Sequence, residues 1–356
     1  MAYTTIDNPE LHFQTKLYTG TGSSNSITLD GDEDMAPDLV WLKKRSAGGG
    51  HYLTDTVRGA TKTIYPDGVD AEGTVAQALT AFASDGFTVG TDSGINVNTG
   101  THVAWCWKAN GTGSSNTDGT INTAATSANT TAGFSIVSYT SNGSSSQTVG
   151  HGLGAVPQCI FSKNRDSTSS SYNYWTVYHH SNASANDKKF KLNTNDAAST
   201  TNEWGDTDPT SSVYSLHSSG DGTTNVSTNK IISYVWTGIQ GYSKFGKYVG
   251  NGSADGTYVY TGFRPAFVLF KGINSNREWI LADNKRDPIN EVDAVLYGNT
   301  TDLEGDSDMV DFLSNGFKCI HASGPGTINT SGETYVYMAI AENPFVNSNG
   351  IPVNAR

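Results

Sequence analysis

The sequence predicts an all-β protein built from three tandem β-sandwich repeats with a jelly-roll-like arrangement. Short runs rich in β-branched and aromatic residues recur along the 356-residue chain. Clusters of Gly, Ser, Asn and Asp, which favour turns, separate these runs. One order of motifs also returns three times, at intervals of more than 100 residues. A period of that length indicates duplicated domains and not a solenoid.

Each repeat opens with an aromatic residue followed by a tyrosine and a Gly/Ser turn, then reaches a proline, an apolar strand and a lysine. The opening pairs are Phe13–Tyr18, Phe134–Tyr139 and Phe245–Tyr248. The prolines and the lysines six residues later are Pro37–Lys43, Pro157–Lys163 and Pro265–Lys271. We therefore predict repeats over 1–109, 132–240 (degenerate) and 241–356, with a Gly/Ser/Thr linker over 110–131. Three sandwiches in series form either an elongated rod or a compact trefoil.

The predicted strands are the segments in which β-branched and aromatic residues dominate. They are 26–29, 39–42, 134–139, 230–236, 257–260 and 335–339. Helical periodicity is present only over 71–80, and there it is weak. About seven or eight short strands per repeat are typical of a sandwich.

Composition and charge argue against nucleic-acid binding and against insertion into a membrane. The net charge is −12, the opposite sign to that of a protein that tracks nucleic-acid phosphates, so nucleic-acid binding is excluded as the main function. Since no apolar run approaches the length of a membrane span, we expect no membrane insertion. The first residues lack the basic and apolar regions of a secretory signal, so we expect no such signal in this chain. We predict no cofactor.

Two Asp-x-x-Arg pairs are the most prominent charged motifs. Asp55–Arg58 and Asp283–Arg286 both begin 18 residues after the proline of their repeat. Arg presents a planar fork that suits carboxylates and sugars, so a ligand clamp is one interpretation. A structural ion pair repeated in each sandwich is the alternative, and we favour it. In the middle repeat, Trp175 stands at the spacing where the aspartate would be.

An acidic turn is a second candidate site. Asp30, Asp32 and Asp34 alternate as the ligands of a calcium loop do, and 304–308 has a similar composition. Neither segment has the glycine and distant glutamate of an EF-hand. Calcium binding and a solvated acidic turn are both open, and we favour the second.

No catalytic residues are predicted, because the chain has no nucleophile elbow, zinc-binding His motif or Cys/His signature. Aromatic rings are a further candidate site, since carbohydrate binders stack sugars on exposed rings. Tyr172, Tyr174 and Trp204 in the middle repeat are the best candidates for glycan contacts, and local packing of these rings is the alternative that we favour. Insertions over 167–174 and 181–187 are polar loops, the kind that carries recognition on a rigid scaffold.

The motif series resembles repeat-containing virion proteins of tailed bacteriophages, especially marine ones. The residues that carry the resemblance are the Phe/Tyr/Gly/Ser opening, Pro-x-x-Val-x-x-Lys, Asp-x-x-Arg, Asp-Gly-Phe, and Val-Ala-Trp-Cys-Trp-Lys at 103–108. The resemblance implies a non-enzymatic virion protein, a tail-fibre or appendage component that helps to recognise host-surface glycans. It also implies assembly in the host cytoplasm, which fits the lack of a secretory signal. Capsid decoration or a head fibre is one alternative. A polysaccharide depolymerase spike is another, although the short period of a β-helix is absent. The implied partners are other virion proteins, host polysaccharide and further copies of the chain, with a trimer as our expectation.

Overall fold

Antiparallel strands form almost all of the regular structure in the computed structural model, which describes residues 4–167, 173–218, 223–320 and 327–344. The sheets divide the chain into segment 1 (4–109), segment 2 (110–240) and segment 3 (241–344). The prediction of an all-β fold is confirmed. Among the described residues, no helix is long and apolar enough to cross a membrane.

The strands of segment 1 are β1 (Phe13–Thr19), β2 (Asn25–Thr28), β3 (Leu39–Lys44), β4 (His51–Asp55), β5 (Lys62–Thr63), β6 (Gly73–Thr74), β7 (Leu79–Ala83), β8 (Gly86–Val89) and β9 (Thr101–Trp107). Its helical turns are a 3-10 turn (Pro9–Leu11) and α1 (Ser93–Asn96). The strands of segment 2 are β10 (Thr123–Asn129), β11 (Phe134–Thr140), β12 (Gln147–Gly150), β13 (Cys159–Asn164), β14 (Trp175–His179), β15 (Lys188–Lys191), β16 (Ser199–Thr200), β17 (Val213–Leu216) and β18 (Lys230–Trp236), with a 3-10 turn at Ala185–Asp187. The strands of segment 3 are β19 (Ser243–Val249), β20 (Tyr258–Tyr260), β21 (Phe263–Gly272), β22 (Ile280–Asp283), β23 (Val292–Tyr297), β24 (Gly305–Leu313), β25 (Gly316–Cys319) and β26 (Thr334–Pro344).

One strand order recurs in the three large sheets. Segment 1 has β1-β9-β3-β4, segment 2 contains β11-β18-β13-β14, and segment 3 contains β19-β26-β21-β22. In each, the first strand of this order pairs with the last strand of the segment, and that last strand pairs with the strand that carries the motif lysine. Segment 3 continues through β23, β24 and β25 to β20, so its eight-stranded sheet curls until its two edge strands, β19 and β20, lie at one seam.

A single central core lies between the three large sheets. In β9, Val103, Trp105 and Trp107 face this core, while Ala104 and Cys106 face outward. Strands β18 and β26 alternate in the same way. Because both faces of these strands are buried, the strands are apolar along their whole length. The shared core brings the three segments together side by side, as the trefoil alternative requires and the rod does not.

A smaller set of strands covers the outer face of each large sheet and completes a sandwich. In segment 1 the cover is β2-β8-β7, and in segment 2 it is β12-β17. In segment 3, β24, β25 and β20 supply it. Each outer layer has its own apolar cluster, separate from the central core.

The structure differs from the predicted elements in two places. Residues 123–129 form β10 inside the predicted linker 110–131, and they pair along β11. The small polar residues there resemble a linker because β10 is an edge strand, which needs little apolar surface. The weak helical pattern over 71–80 does not form a helix. Residues 73–74 and 79–83 form the strands β6 and β7 instead, and over 80–83 half-buried and exposed residues alternate with the period of a strand.

Candidate functional site

The first predicted charged pair is buried between two segments. Arg58 Nε donates to Asp55 Oδ2 over 2.5 Å, and both side chains are inaccessible to solvent. Arg58 Nη2 donates to the Leu53 carbonyl at 2.9 Å. Tyr234 of segment 2 donates its hydroxyl to Asp55 Oδ2 at 2.6 Å. The pair therefore fastens segment 1 to segment 2, and its guanidinium is not open to a ligand.

The second pair repeats this geometry where segment 3 meets segment 1. Arg286 Nε donates to Asp283 Oδ2 over 2.6 Å, again with both side chains inaccessible. Arg286 Nη2 donates to the Leu281 carbonyl at 2.8 Å. Trp105 of segment 1 donates its indole N–H to Asp283 Oδ2 at 3.0 Å, in the role that a tyrosine hydroxyl has at the first pair.

A glutamate extends each pair to a second arginine across the boundary. Glu72 accepts from the buried arginine of the first pair at 3.2 Å and from Arg165 of segment 2 at 2.8 Å. Glu304 accepts from the buried arginine of the second pair at 3.2 Å and from Arg45 of segment 1 at 2.6 Å. Both networks thus run Asp–Arg–Glu–Arg from one segment into the next.

The charges within these networks keep them ionised at neutral pH. Burial acts to lower the pKa of Arg58 and of Arg286, but the neighbouring carboxylates outweigh it, and both pKa values lie above the ordinary value for arginine. Burial acts to raise the pKa of Glu72, and its bonds with Arg165 and Arg58 reverse the direction. Buried ions in such networks are tolerated only when every charge is paired.

At the third boundary, between segments 2 and 3, a histidine takes the aspartate's place. His179 has the register position on β14 that Asp55 has on β4 and Asp283 has on β22. Its Nε2 lies 3.1 Å from the Tyr337 carbonyl of segment 3, and its Nδ1 accepts the Ser181 N–H at 3.2 Å. These partners fit a neutral imidazole with its proton on Nε2. Burial lowers the pKa of His179 to about 3.

The placement of Trp175 at the aspartate position is wrong. Trp175 pairs with Lys163, as His51 pairs with Lys43, so it corresponds to His51 and not to Asp55. The loop between β13 and β14 is longer than its counterparts, which shifts the spacing by four residues.

Three ring nitrogens make a second set of bonds between segments. Trp175, His51 and Trp279, which directly precedes β22, each reach a backbone carbonyl of the neighbouring segment. The contacts are Trp175 Nε1 to Tyr65 O at 2.9 Å, Trp279 Nε1 to Lys191 O at 2.9 Å, and His51 Nε2 to Tyr297 O at 3.0 Å.

The motif lysines are also internal. Lys43, Lys163 and Lys271 are buried, and their ammonium groups donate to backbone carbonyls. Lys163 reaches the Val69 carbonyl of segment 1 at 3.3 Å, and Lys271 reaches the Asn195 carbonyl of segment 2 at 2.8 Å. Burial lowers the pKa of Lys163 to about 7 and those of Lys43 and Lys271 to about 8.

The acidic turn does not gather its carboxylates around one point. Asp30, Asp32 and Asp34 are exposed. Asp30 Oδ2 lies 3.2 Å from Lys16 Nζ, and Glu10 accepts the backbone N–H of Asp32 at 2.9 Å. In the part of the chain that the structure describes, no three His, Cys, Asp or Glu side chains are placed to hold a metal. The geometry therefore gives the calcium interpretation no support at this turn.

The predicted glycan-stacking residues do not form an exposed surface. Tyr172 lies outside the described residues. Tyr174 and Trp204 are buried, with 9% and 2% of their surface exposed. Two lysine ammonium groups lie 4.8 and 4.6 Å from the centre of the Tyr174 ring, and the edge of Trp204 packs on Tyr178. Both rings serve internal packing, so the prediction that they stack on sugars does not fit their burial.

A cleft lies at the seam of the segment 3 sheet, and we call it the open seam. It has a volume of about 340 Å³. Its lining includes Ser243 and Lys244 of β19, Tyr260 of β20, and Gln158 and Gln240 from segment 2. Lys244 Nζ crosses the seam to donate to the Tyr260 carbonyl at 2.6 Å and lies 5.2 Å from the centre of the Tyr260 ring. Half of the Tyr260 surface is exposed.

The equivalent edge is closed in the other two segments. Lys244 is the second residue of its strand, as Gln14 is of β1 and Ser135 is of β11. The Gln14 amide fills its edge, since its Oε1 accepts the Gly31 N–H at 2.9 Å. At Ser135 the edge is covered by β10, where Ala128 is its partner. Among these three matching edges, the one in segment 3 is left open.

A comparison with protein-family models matches residues 8–344 to a domain of unknown function, DUF7483. The chain belongs to the DUF7483 family. The match spans all three large sheets, so one DUF7483 unit contains the central core except for Ile6. No curated protein matches the chain.

The DUF7483 chain has a second, wider cleft in segment 2. It has a volume of about 630 Å³, and its lining includes Ser184, Asn186, Asp187, Thr201 and Asp206. Part of it lies on the insertion predicted over 181–187. Its lining residues are all polar, so it lacks the aromatic platform that the open seam has.

Sequence reasoning missed the open seam of this DUF7483 protein, although a signal for it was present. The motif order aligns the third repeat on Phe245, but the structure aligns Tyr248 with Tyr18. Each of these tyrosines donates its hydroxyl to a carbonyl just before the last strand of its segment, Ile95 before β9 and Ile328 before β26. Ser243 then stands at the position of Phe13. The shortened spacing between Phe245 and Tyr248 was the sequence sign that this edge differs.

Proposed function

We propose that this DUF7483 protein is a non-enzymatic structural component of a tailed-phage virion, in a tail fibre or another appendage that takes part in recognising host-surface glycans. The observation that carries the proposal is the internal use of the recurring motifs. The Asp-x-x-Arg pairs and the motif lysines carry the resemblance to virion proteins. Both pairs and two of the lysines, Lys163 and Lys271, bond to a neighbouring segment.

The burial of these charges supports a packing role over a chemical one. A catalytic carboxylate or lysine must reach its substrate. Asp55 and Asp283 are inaccessible and are saturated by arginine and by a ring or hydroxyl donor. A rigid body of this kind suits an assembly part that carries its recognition surface on loops and sheet edges.

Immunogold electron microscopy tests the proposal. Antibodies raised against the recombinant protein are applied to particles purified from lysates of the source culture. We expect gold at the tail or its fibres. Gold over the capsid would replace the appendage role with decoration, and particles without gold would overturn the virion assignment. A fall in the viscosity of host polysaccharide on adding the protein would contradict the non-enzymatic part.

A further inference from the structure

We propose that the open seam binds one neutral pyranose ring of a glycan, with Tyr260 as the stacking platform. This inference rests on the proposed recognition function and names its site and ligand class. It moves the proposed sugar contact from Tyr174 and Trp204, which are buried, to a ring that is half exposed.

The shape of the seam suits a single sugar ring. Its volume of about 340 Å³ lies near the lower end of the range for small-molecule sites, roughly 300–1,000 Å³. The seam is a gap between two edge strands that the fold holds open, because each strand is anchored in the outer core by its buried neighbours, Tyr248 on β19 and Val259 on β20. The site is therefore formed before any ligand arrives.

The lining offers both parts of sugar recognition. A pyranose has an apolar face of C–H groups, which packs on an aromatic ring, and a rim of hydroxyls, which need hydrogen-bond partners. Tyr260 supplies the ring. The rim can bond to the exposed amide of Gln240 and to the Ser243 hydroxyl, whose oxygen already accepts the Ile239 N–H at 3.0 Å and whose proton remains for donation.

The net charge of the chain, and not the lining, favours a neutral sugar over an acidic polysaccharide. Lys244 is the one cationic side chain among the lining residues, and its ammonium group donates to the Tyr260 carbonyl at 2.6 Å. One of its three protons is thus used internally, and the other two can donate to sugar hydroxyls. The chain as a whole carries a net charge of −12, which repels polyanions at long range.

Tyr258 gives a matched control for Tyr260. Both side chains lie on the same face of β20, with 45% and 50% of their surface exposed. Tyr258 does not line the seam; its hydroxyl donates to Asn315 Oδ1 at 2.7 Å. The two variants Tyr260→Ala and Tyr258→Ala therefore remove similar exposed rings from one strand, but only the first removes the proposed platform.

Saturation-transfer difference NMR on the full chain measures binding of the methyl pyranosides of glucose, galactose, mannose and N-acetylglucosamine, with glucuronate as the acidic probe. We expect at least one neutral pyranoside to bind, Tyr260→Ala to weaken it roughly tenfold or more, and Tyr258→Ala to leave it unchanged. Equal loss in both variants, binding of glucuronate alone, or no binding at millimolar sugar would each overturn the site.

The virion role and the sugar site at the open seam can be disproved independently of each other. Gold label on tails with no sugar bound at the seam would remove this site and leave the virion role. Sugar binding that depends on Tyr260, without any labelled particle, would keep the site and remove the virion role. Loss of binding on mutating Asn186 and Thr201 instead would place recognition in the segment 2 cleft and overturn the seam.

Discussion

At the scale of single residues, the two buried Asp–Arg pairs are the positions where we expect a single substitution to cost the most stability. Each places two full charges where water cannot reach. Removing both partners of such a pair can be nearly neutral, but removing one leaves a buried charge without compensation. The pairs therefore make the boundaries between segments intolerant of single charge changes.

The change Asp283→Asn tests this intolerance. The buried guanidinium of Arg286 then lacks its main carboxylate partner. The Trp105 indole N–H, which donates to the carboxylate in the wild-type protein, is left with an uncharged amide. We expect the free energy of unfolding to fall by about 3–5 kcal/mol, measured by guanidinium denaturation. The control Asp34→Asn alters an exposed carboxylate and should change stability by less than about 0.5 kcal/mol. Similar small losses in both variants would contradict the argument.

The neutral His179 makes stability depend on acid. Its folded pKa of about 3 lies below the unfolded value near 6.5, so the unfolded chain binds the extra proton first. The stabilisation is complete above pH 6.5 and is lost as the pH falls toward 3, by at most about 1.4 kcal/mol per pH unit for this group. Its neighbour His180, which lies 5.5 Å away ring to ring, acts in the same direction.

The variant His179→Gln isolates this contribution. Glutamine keeps a donor for the Tyr337 carbonyl but does not titrate. We expect the melting temperature of the wild-type protein to fall more steeply than that of the variant between pH 6.5 and pH 4. Parallel curves for the two proteins would show that His179 does not control the acid sensitivity.

At the scale of elements, the ring-to-carbonyl bonds join the hairpin around β4, β14 and β22 of each segment to a neighbouring segment. The change Trp175→Phe removes the N–H that pairs with the Tyr65 carbonyl and leaves that carbonyl with the Gly68 N–H alone. Trp236→Phe makes the same change of side chain in the central core, where in the described structure Trp236 Nε1 has no partner. We expect Trp175→Phe to cost about 0.5–1.5 kcal/mol more in unfolding free energy than Trp236→Phe, the net value of one hydrogen bond. Equal costs in denaturant titrations would show that the bond does not stabilise the boundary.

The elements also show what the sequence could and could not predict. Strands 39–42, 134–139 and 230–236 were predictable because they are apolar on both faces and flanked by turn residues. The edge strand β10 was not, since its small polar residues resemble a linker. The Asp-x-x-Arg pairs were predictable as structural pairs from their repetition. Their partners Tyr234 and Trp105 were not, because those bonds join residues more than 170 positions apart.

At the scale of the whole molecule, the shared core makes the three segments depend on one another. Each large sheet buries its inner face only against the other two. We expect one cooperative thermal transition, with calorimetric and van't Hoff enthalpies equal. Residues 110–240 expressed alone should lack the cooperative melting of a folded domain, because the inner face of that segment would be exposed to water. Separate transitions in the full chain would contradict a common core.

Because the three segments belong to one chain, their association does not depend on protein concentration. Three separate identical chains around a common core would dissociate as their concentration falls, and every boundary between them would be identical. Here the local concentration of each segment at its neighbours is fixed by the chain itself. The boundaries are also free to differ, with carboxylates at two and an imidazole at the third. The sheet edge at the open seam can therefore stay uncovered in segment 3 while the matching edges of segments 1 and 2 remain closed.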